Sequence, residues 1–543
     1  MRYLVISALP YVNAIPHLGN LTGSILPADV YYKYLKMDGQ DAIYICGSDQ
    51  HGTPIELRAI KNGVPAEQLA DELHEKVKEL FAQFEMTFTY YGKTHTKESQ
   101  DIVDENFGAL DKNGYIVEVE SVQGYCNFDK RFLTDRFIEG KCPYCGGRGR
   151  GDQCDDCGKL LTPQQLIEPF CAICGKKEVT FKKVKNLALA LDKLQGGIES
   201  FIKQNSKNNW TKNAINKPLS YVKEGLKPRD ITRNMKWGLS VPKKGYEESV
   251  FYVWFEALQG YISITKAWDQ KRWLDYWKGK DVKVVNFMGK DNIEFHTLMW
   301  PGILLGSGLG YNLPTTIRAS EYLNAVGVKF SKSRGVGLNI ETALSIMEPD
   351  YWRFALMYLY PETADTEFTL DGFKDIINNI LNDKIGNLAQ RVLKLSRSNE
   401  SLISGDPRVH DDYKVQMDKL LDAYRASFEK ADIREALRAV VELAGVGNSI
   451  MSAKEPWALV KKDREAFTDT MSTLTCIVYD IAIMLWPFTP KASMQLLRHF
   501  GITGEPSLAM IHHRVRLDLS NEPQPLFHKI TKEEDAKLKE TAG

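Results

Sequence analysis

The N-terminal part of the chain alternates short apolar runs with amphipathic stretches. Residues 2–9 (RYLVISAL) form an apolar run that predicts a β-strand, and residues 16–36 open with turn residues and continue with helical spacing. A second strand at residues 41–47 and a helix around residues 53–61 repeat the pattern. This order of strand, loop and helix predicts a Rossmann-like, doubly wound parallel α/β sheet with right-handed crossovers.

The pattern breaks in the middle of the chain. Gly, Cys, Lys and Asp become frequent, and helical spacing returns only at residues 187–204 (LALALDKLQGGIESFIKQ). Residues 282–289 (VKVVNFMG) then predict a strand, residues 292–306 predict a helix packed on the sheet, and later apolar stripes at 3.6-residue spacing predict a helix bundle. We therefore expect the first half of the sheet at 1–112, an insertion at 113–226, the second half at 227–320, a loop and connecting region at 321–370, and an α-helical domain at 371–543.

Composition narrows the class of protein. The length of 543 residues predicts roughly three or four domains. Lys and Arg total 70, as do Asp and Glu, so the chain has no net basic charge, which argues against a non-specific DNA binder. The first residues resemble a strand and not a signal peptide, and no stretch is apolar enough to span a membrane. We expect a cytoplasmic protein.

The cysteines are concentrated in the insertion. Seven of the nine fall between Cys126 and Cys174, which indicates metal binding in a reducing compartment and not a disulfide scaffold. Two CxxC turns eight residues apart supply four thiolates, which can complete a tetrahedral shell around zinc. Because protein ligands would fill every position, we predict a structural zinc site formed by Cys142, Cys145, Cys154 and Cys157.

Two further motifs indicate a nucleotide site. Residues 16–20 (PHLGN) follow the first predicted strand and begin a helix, whose free N–H groups and positive dipole end suit phosphates. Residues 329–335 (KFSKSRG) form a cationic, glycine-containing loop that can close over a departing pyrophosphate. Each motif alone is weak, since the first could be an ordinary helix cap and the second a solvated basic loop.

Together the two motifs resemble HIGH and KMSKS, the signatures of class I aminoacyl-tRNA synthetases. The order along the chain matches, and so does the position of each motif after a predicted strand. Asn20 stands in place of the second histidine and Phe330 in place of methionine. Because asparagine can still donate a hydrogen bond, we expect function to be kept.

Further strings are similar to those of the methionine-specific members of this class, and the likeness runs from Tyr3 to about Phe527. The strings are SALPYVN at 7–13, GSDQHGT at 47–53, YVWFEA at 252–257, and GKDN at 289–292 followed by FH at 295–296.

The resemblance implies a role for residues around the substrates. Asp49 would pair with the ammonium group of L-methionine, and Arg233 would lie close by. The methionine side chain would occupy a pocket lined by Ala8, Leu9, Tyr11, Trp254, Ala257, Tyr261 and His296. Leu258 stands where some members carry proline. A thioether suits such a pocket because it is polarizable and favours aromatic edges.

The resemblance also implies an ATP site and a reaction. His17, Asn20, Lys329 and Lys332 would stabilise the charge that builds up on the pyrophosphate, with Mg²⁺ on the phosphates. The full ATP site would comprise His17, Gly19, Asn20, Lys290, Asp291, Lys329, Ser331 and Lys332. Methionyl-adenylate would form first, and the methionyl group would then pass to the 3′-terminal ribose of tRNA(Met).

A second zinc site and an anticodon site follow from the same resemblance. Some relatives carry an outer zinc site, which here would consist of Cys126, Asp129, Cys171 and Cys174. Since a carboxylate is a less soft ligand than a thiolate, we expect this site to be weaker or vacant. The anticodon-reading positions would be Asn387, Arg391, Pro456 and Trp457. We expect a monomer, because the chain stops soon after Phe527.

Three alternatives remain open at this stage. The first is a synthetase for another amino acid, such as leucine or cysteine. The second is a nucleotidyltransferase that shares only the HIGH-type fold and uses no tRNA, which would leave the helical domain without a role. The third is a zinc-ribbon RNA-binding protein without catalysis, which would leave the cationic loop and Asp49 unexplained.

Overall fold

The structure is a computed structural model of the chain. It describes residues 1–134, 137–151, 154, 157, 159, 161–326, 338–402, 407–511, 516–520 and 522–542. None of the described helices combines the length and the apolar character that a bilayer crossing requires.

The first part of the chain forms one half of a parallel sheet. Its strands are nearly continuous apolar runs because both faces are covered by helices. A π-helical segment at Leu21–Ile25 joins the first two helices. The elements are β1 (Arg2–Ser7), α1 (Leu18–Asn20), α2 (Leu26–Met37), β2 (Asp41–Ser48), α3 (Thr53–Asn62), α4 (Ala66–Gln83), β3 (Tyr90–Lys93) and α5 (Lys97–Lys112).

The insertion forms a long antiparallel ribbon that carries a smaller sheet at its tip. The ribbon pairs Ile116 with Leu189 at its base and Cys126 with Val179 at its far end. Residues 187–189, which the sequence predicts as the start of a helix, are the end of a strand. The elements are β4 (Ile116–Cys126), β5 (Arg131–Leu133), β6 (Ile138–Lys141), β7 (Arg148–Arg150), β8 (Ile167–Cys171), β9 (Val179–Leu189), α6 (Leu191–Asn205), α7 (Lys212–Glu224) and β10 (Arg229–Asp230).

The chain then completes the sheet. The strand β13 (Val282–Gly289) pairs with β1 in parallel, and β14 (Thr316–Ser320) pairs with β13. The described strands therefore lie in the order β14-β13-β1-β2-β3. The predicted doubly wound α/β fold is confirmed. A π-helical segment at Phe295–Met299 precedes the helix after β13. The elements are β11 (Thr232–Arg233), β12 (Val250–Phe251), α8 (Val253–Trp268), α9 (Trp273–Trp277), β13 (Val282–Gly289), α10 (Trp300–Ser307), β14 (Thr316–Ser320) and β15 (Leu323–Ala325).

The rest of the chain is mainly helical, as the apolar stripes predict. A π-helical segment at Ile376–Gly386 connects two of the helices. The elements are α11 (Ile340–Ile346), α12 (Pro349–Tyr358), β16 (Thr366–Phe368), α13 (Leu370–Asp375), α14 (Asn387–Ser398), α15 (Asp411–Glu429), α16 (Ile433–Lys454), α17 (Pro456–Lys462), α18 (Arg464–Leu485), α19 (Pro490–Arg498) and α20 (Lys532–Ala542).

A buried arginine joins the sheet to the helical part. Arg353 on α12 has no exposed surface, and its guanidinium donates to Asp29 Oδ2 on α2 at 2.7 Å. The same group donates to the carbonyl of Pro487 at 2.7 Å and to that of Phe488 at 3.1 Å, at the end of α18. Lys33 also pairs with Asp29, at 2.6 Å. A buried charge needs such partners, so these contacts fix the relative position of the two parts.

Candidate functional site

The site lies at the carboxyl edge of the parallel sheet, where the loops after β1 and β2 meet. The amide of Asp49 donates to the carbonyl of Pro10 at 3.0 Å, and the amide of Val12 donates to the carbonyl of Asp49 at 3.2 Å. These bonds bring Tyr11 and Asp49 side by side. The carboxyl edge of an open parallel sheet is where ligands of such folds bind.

His17 caps the helix that begins at this edge. Its Nδ1 accepts from the amide of Asn20 at 3.2 Å, and Asn20 Oδ1 accepts from the amide of His17 at 3.3 Å. An Nδ1 that accepts leaves the ring proton of the neutral imidazole on Nε2. Asparagine at position 20 therefore completes a reciprocal cap, and together with Gly19 these half-buried residues form the turn at the sheet edge.

The cationic loop lies outside the described residues, and so do Lys329, Ser331 and Lys332. The chain that leaves this loop lies against the His17 turn. The amide of Leu18 donates to the carbonyl of Leu338 at 3.1 Å, and the amide of Ile340 donates to the carbonyl of Pro16 at 3.1 Å. Leu338 stands three positions after Gly335, the last residue of the cationic loop.

A cavity of about 390 Å³ opens beside Asp49. Four of the residues that the resemblance implies for methionine, Tyr11, Asp49, Arg233 and Trp254, line it together. Asp49 is only 4% exposed, and burial together with repulsion from Glu256 raises the pKa of its carboxyl well above the usual range. Other lining residues are Asn13, Gly52, Thr53, Pro54, Met235, Trp237, Val250, Phe251, Tyr252 and Val253.

Arg233 is held against the cavity wall. Its guanidinium lies 4.0 Å from the centre of the Tyr252 ring and 3.7 Å from Asp230 Oδ2. An aromatic face and a carboxylate both stabilise a guanidinium, and the cavity is lined by this positive group together with the Asp49 carboxyl.

The remaining residues implied for the methionine side chain are not among those that line the cavity. Tyr261 and His296 lie in the core, where the Tyr261 hydroxyl meets His296 Nε2 at 2.8 Å. Burial lowers the pKa of His296 to about 4, which keeps the ring neutral near pH 7. The Trp254 ring stacks on Phe295 with centroids 4.1 Å apart. Ala8 and Ala257 are buried, and Leu9 is half-buried.

A buried polar network beside the cavity was not predicted from the sequence. His51 Nδ1 lies 2.7 Å from Glu256 Oε1, and His51 Nε2 lies 2.8 Å from His95 Nδ1. Trp237 covers both rings. His51 and Glu256 both stand in strings that resemble the methionine family, but neither carried a predicted role.

Lys290 and Asp291 follow β13 at the same edge. Lys290 Nζ pairs with Glu321 Oε2 at 2.8 Å and with Asp365 Oδ1 at 2.7 Å, so its charge is already neutralised. The hydroxyl of Tyr322 donates to Asp291. This cluster holds the chain that enters the cationic loop against the end of β13.

Both predicted groups of metal ligands come together in the insertion. The ligand atoms of Cys142, Cys145, Cys154 and Cys157 all lie within 4.8 Å of one another, with sulfur pairs at 3.6 and 3.9 Å. Zinc–sulfur bonds of about 2.3 Å give tetrahedral sulfur–sulfur edges of about 3.8 Å, so this geometry fits zinc. Asp129 completes the second group with Cys126, Cys171 and Cys174, and its Oδ2 lies 3.1 Å from the sulfur of Cys171.

The residues implied for anticodon reading lie close together on the helical part. Asn387 and Arg391 are exposed one turn apart on α14, and the Arg391 guanidinium lies 5.1 Å from the centre of the Trp457 ring. Trp457 is 43% exposed and follows the buried Pro456 at the start of α17. An exposed indole beside a cation can accept a stacked base.

Comparison with known proteins identifies the family. The family described as tRNA synthetases class I (M) matches residues 3–393, and the anticodon binding domain of methionyl tRNA ligase matches residues 407–542. The chain belongs to the methionyl-tRNA synthetase family. The predicted membership is thereby confirmed, and the leucine, cysteine, nucleotidyltransferase and zinc-ribbon alternatives lose their support.

Individual members of the methionyl-tRNA synthetase family match nearly the whole chain. The methionine–tRNA ligase of Pyrobaculum islandicum is 42% identical over 98% of this chain and 95% of its own length. That of Ignicoccus hospitalis is 42% identical over 98% and 96%. The crystal structure of Mycobacterium tuberculosis methionyl-tRNA synthetase bound by methionyl-adenylate has a TM-score of 0.80 and 23% identity, covering 97% of this chain and all of that one.

Proposed function

We propose that the protein is a methionine–tRNA ligase. It activates L-methionine with ATP to methionyl-adenylate and pyrophosphate, and then transfers methionine to the 3′-terminal ribose of tRNA(Met). The observation that carries this proposal, beside the family membership, is the position of the Asp49 cavity and the His17 turn at one sheet edge. An amino acid and a nucleotide bound at these two places would meet.

The substrate ammonium binds Asp49. The Asp49 Oδ1 atom is buried and has no hydrogen-bond partner among the described residues, so an ammonium group would supply the missing donors. Arg233, which lines the same cavity, orients the substrate through its positive charge. The thioether lies toward Tyr11 and Trp254, and the layer of Ala8, Leu9, Ala257, Tyr261 and His296 limits the depth of the pocket.

ATP binds along the His17 turn. The proton on His17 Nε2 and the side-chain Nδ2 group of Asn20 donate to phosphate oxygens, and Gly19 admits the adenine because it has no Cβ. Lys329, Ser331 and Lys332 close over the pyrophosphate, with Mg²⁺ on the phosphates. Asp291 helps to hold the nucleotide. Lys290 also remains in the predicted ATP site, although its two ion pairs favour a role in positioning the loop.

The first step requires no general base. The methionine carboxylate is already a nucleophile and attacks the α-phosphorus in line, while pyrophosphate leaves. Catalysis then consists of positioning and of stabilising the charge that develops on the leaving group. In the second step the terminal ribose hydroxyl attacks the methionyl carbonyl, and AMP leaves.

Zinc and transfer RNA complete the proposal. The four-cysteine group holds one structural zinc ion that stabilises the tip of the insertion, and the group containing Asp129 holds a second ion less firmly. Asn387, Arg391, Pro456 and Trp457 contact the anticodon.

The decisive experiment is ATP–pyrophosphate exchange tested with all twenty amino acids. Methionine should give the highest kcat/KM, and addition of tRNA(Met) should yield methionyl-tRNA. A higher kcat/KM for leucine or cysteine would refute the assignment of the amino acid. Exchange with methionine but no charging of tRNA(Met) would refute the second step.

A further inference from the structure

A continuous line of hydrogen bonds leads from beside the cavity to the protein surface. Glu256 on α8 is 1% exposed and meets His51 Nδ1 at 2.7 Å. His51 is equally buried and meets His95 Nδ1 through its Nε2 at 2.8 Å. His95 is half-buried, and its Nε2 lies 3.8 Å from Glu67, whose side chain is 65% exposed. His51 and His95 therefore connect the buried carboxyl of Glu256 to solvent.

Two carboxyl oxygens beside the cavity have no described partner. They are Asp49 Oδ1 and Glu256 Oε2, and both are buried. An isolated buried carboxylate is costly, and two close together repel each other as well. Burial raises the pKa of Glu256 well above the usual range, and burial and Glu256 together do the same for Asp49. The empty pocket therefore retains a proton on this pair.

The two histidines are suited to pass that proton without becoming charged. Burial lowers the pKa of His51 to about 3, and burial followed by repulsion from His51 lowers the pKa of His95. A neutral imidazole accepts a proton at one ring nitrogen and releases the proton of the other. Each ring then changes tautomer and stays neutral.

Resting on the function proposed above, we propose that Glu256, His51 and His95 form a proton exit for methionine binding. When the substrate ammonium enters beside Asp49, Glu256 gives its proton to His51 Nδ1. His51 gives its Nε2 proton to His95 Nδ1, and His95 releases its Nε2 proton to solvent. The ammonium keeps its three protons, Glu256 becomes a carboxylate that accepts from His51, and one proton leaves the protein.

The other titratable groups around the exit do not interrupt it. Besides His51, the titratable groups that act on His95 lie on α4 and β3. The titratable groups on the side of Asp49 lie on α8, on β11 and in the π-helical segment after β13. They are Glu67, Asp71 and Lys93 around His95, and Tyr261, Arg233 and His296 on the pocket side. Asp71 is already paired with Lys93 at 2.7 Å, which leaves Glu67 as the acidic group at the mouth of the exit.

The first test is calorimetric titration of the protein with L-methionine in phosphate and in Tris at pH 7.5. The difference in binding enthalpy between the buffers gives the number of protons released, and we expect about one per methionine bound. The affinity should fall about tenfold for each unit by which the pH is lowered. Methionine that binds with no proton release would overturn the inference and leave the proposed function intact. Methionine that does not bind would overturn both.

Variants and ligand analogues locate the proton. Glu256→Gln keeps the size of the side chain and should bind methionine with almost no proton release, whereas His74→Gln, a buried histidine outside the line, should release as many protons as the wild type. Methioninol carries the ammonium and should release the proton, but 4-(methylthio)butanoic acid, which is methionine without the ammonium, should release none. The analogue comparison uses the wild-type protein, so it decides the question even where a variant fails to fold. Release caused by the acid alone would overturn the inference.

The path is tested by spectroscopy and kinetics. ¹⁵N NMR of the histidine side chains should show His51 and His95 changing from the Nε2–H to the Nδ1–H tautomer when methionine binds. In stopped-flow experiments with a pH indicator, His95→Phe should delay proton release behind binding at least tenfold without changing the final count. Unchanged tautomers, or release as fast as in the wild type, would show that the proton leaves by another path and would refute this one.

Discussion

The pair formed by Arg131 and Glu56 connects the insertion to the cavity, and we expect Arg131→Met to loosen this connection. Arg131 on β5 lies two residues after Asp129, one of the ligands of the second metal group. Glu56 lies on α3, whose first residues line the cavity. The guanidinium contacts Glu56 Oε1 at 2.7 Å, while Oε2 is buried without a described partner. The Glu56 side chain is 7% exposed and that of Arg131 is 20% exposed.

These values set the size of the effect. Breaking a fully buried ion pair by removing one partner costs about 3–5 kcal/mol, since the other charge stays buried. Because Arg131 is partly exposed and water can reach Glu56 after the change, we expect about 2–3 kcal/mol. This corresponds to a roughly 30- to 160-fold larger population in which the tip of the insertion is detached from α3.

Amide hydrogen exchange measures this population directly. Exchange of the amides of residues 131–133 and of α3 should accelerate by that factor, and the KM for methionine should rise. Glu56→Gln in the Arg131→Met background should restore part of the protection, because no buried charge remains. Lys76→Met removes a half-exposed ion pair with Glu341 and should change exchange by less than about threefold. Wild-type exchange rates in Arg131→Met would refute the reasoning.

Four further predictions concern the substrate, the metal, a buried histidine and the RNA. Asp49→Asn should raise the KM for methionine in ATP–pyrophosphate exchange by about 30-fold or more, since a buried ammonium–carboxylate contact contributes about 2–5 kcal/mol, while the KM for ATP changes little. After mild chelation, metal analysis should find one zinc per wild-type chain, and Asp129→Cys should retain two; two firmly held ions in the wild type would contradict this. Burial lowers the pKa of His74 to about 4, so the unfolded state binds a proton that the folded state does not between pH 6.5 and 4. The free energy of unfolding, measured with urea, should therefore fall as the pH is lowered through this range. The fall should be steeper in the wild type than in His74→Gln by about 1.4 kcal/mol per pH unit. Equal slopes of unfolding free energy against pH in the two proteins would refute the shift in the pKa of His74. Trp457→Ala should lower kcat/KM for tRNA charging by about tenfold, consistent with about 1–3 kcal/mol for one stacked base, and leave pyrophosphate exchange unchanged; an equal loss in both assays would indicate a structural role.

The parts of the fold that could be predicted are those in which the sequence pattern that determines the structure lies within one short segment of the chain. The strand predicted at residues 282–289 is the strand observed, because a parallel strand covered on both faces is apolar at nearly every position. The four-cysteine group was predictable because ligands spaced three residues apart fall on one turn, whereas the group containing Asp129 followed from the family resemblance. Residues 187–189 were assigned wrongly because their apolar spacing suits either a helix or a strand, and pairing with β4 decides it.

The polar network beside the cavity could not be predicted from local sequence patterns. His51 and Glu256 are separated by 205 residues, and His51 and His95 by 44, so neither pair leaves a periodic signal. The same limit applies to the depth of the methionine pocket. The resemblance named Tyr261 and His296, but only the structure shows that they are buried, bonded to each other and absent from the lining of the cavity.

The contacts of Arg353 set a condition for exchanging parts between relatives. Its guanidinium needs a carboxylate from α2 and two carbonyl groups from the turn after α18, which belong to segments more than four hundred residues apart in sequence. A chimaera that takes its C-terminal helices from another family member must therefore import a turn that presents those carbonyls at the same place. Where the imported turn points them elsewhere, the guanidinium would stay buried with fewer acceptors, and the junction between the two parts would be destabilised.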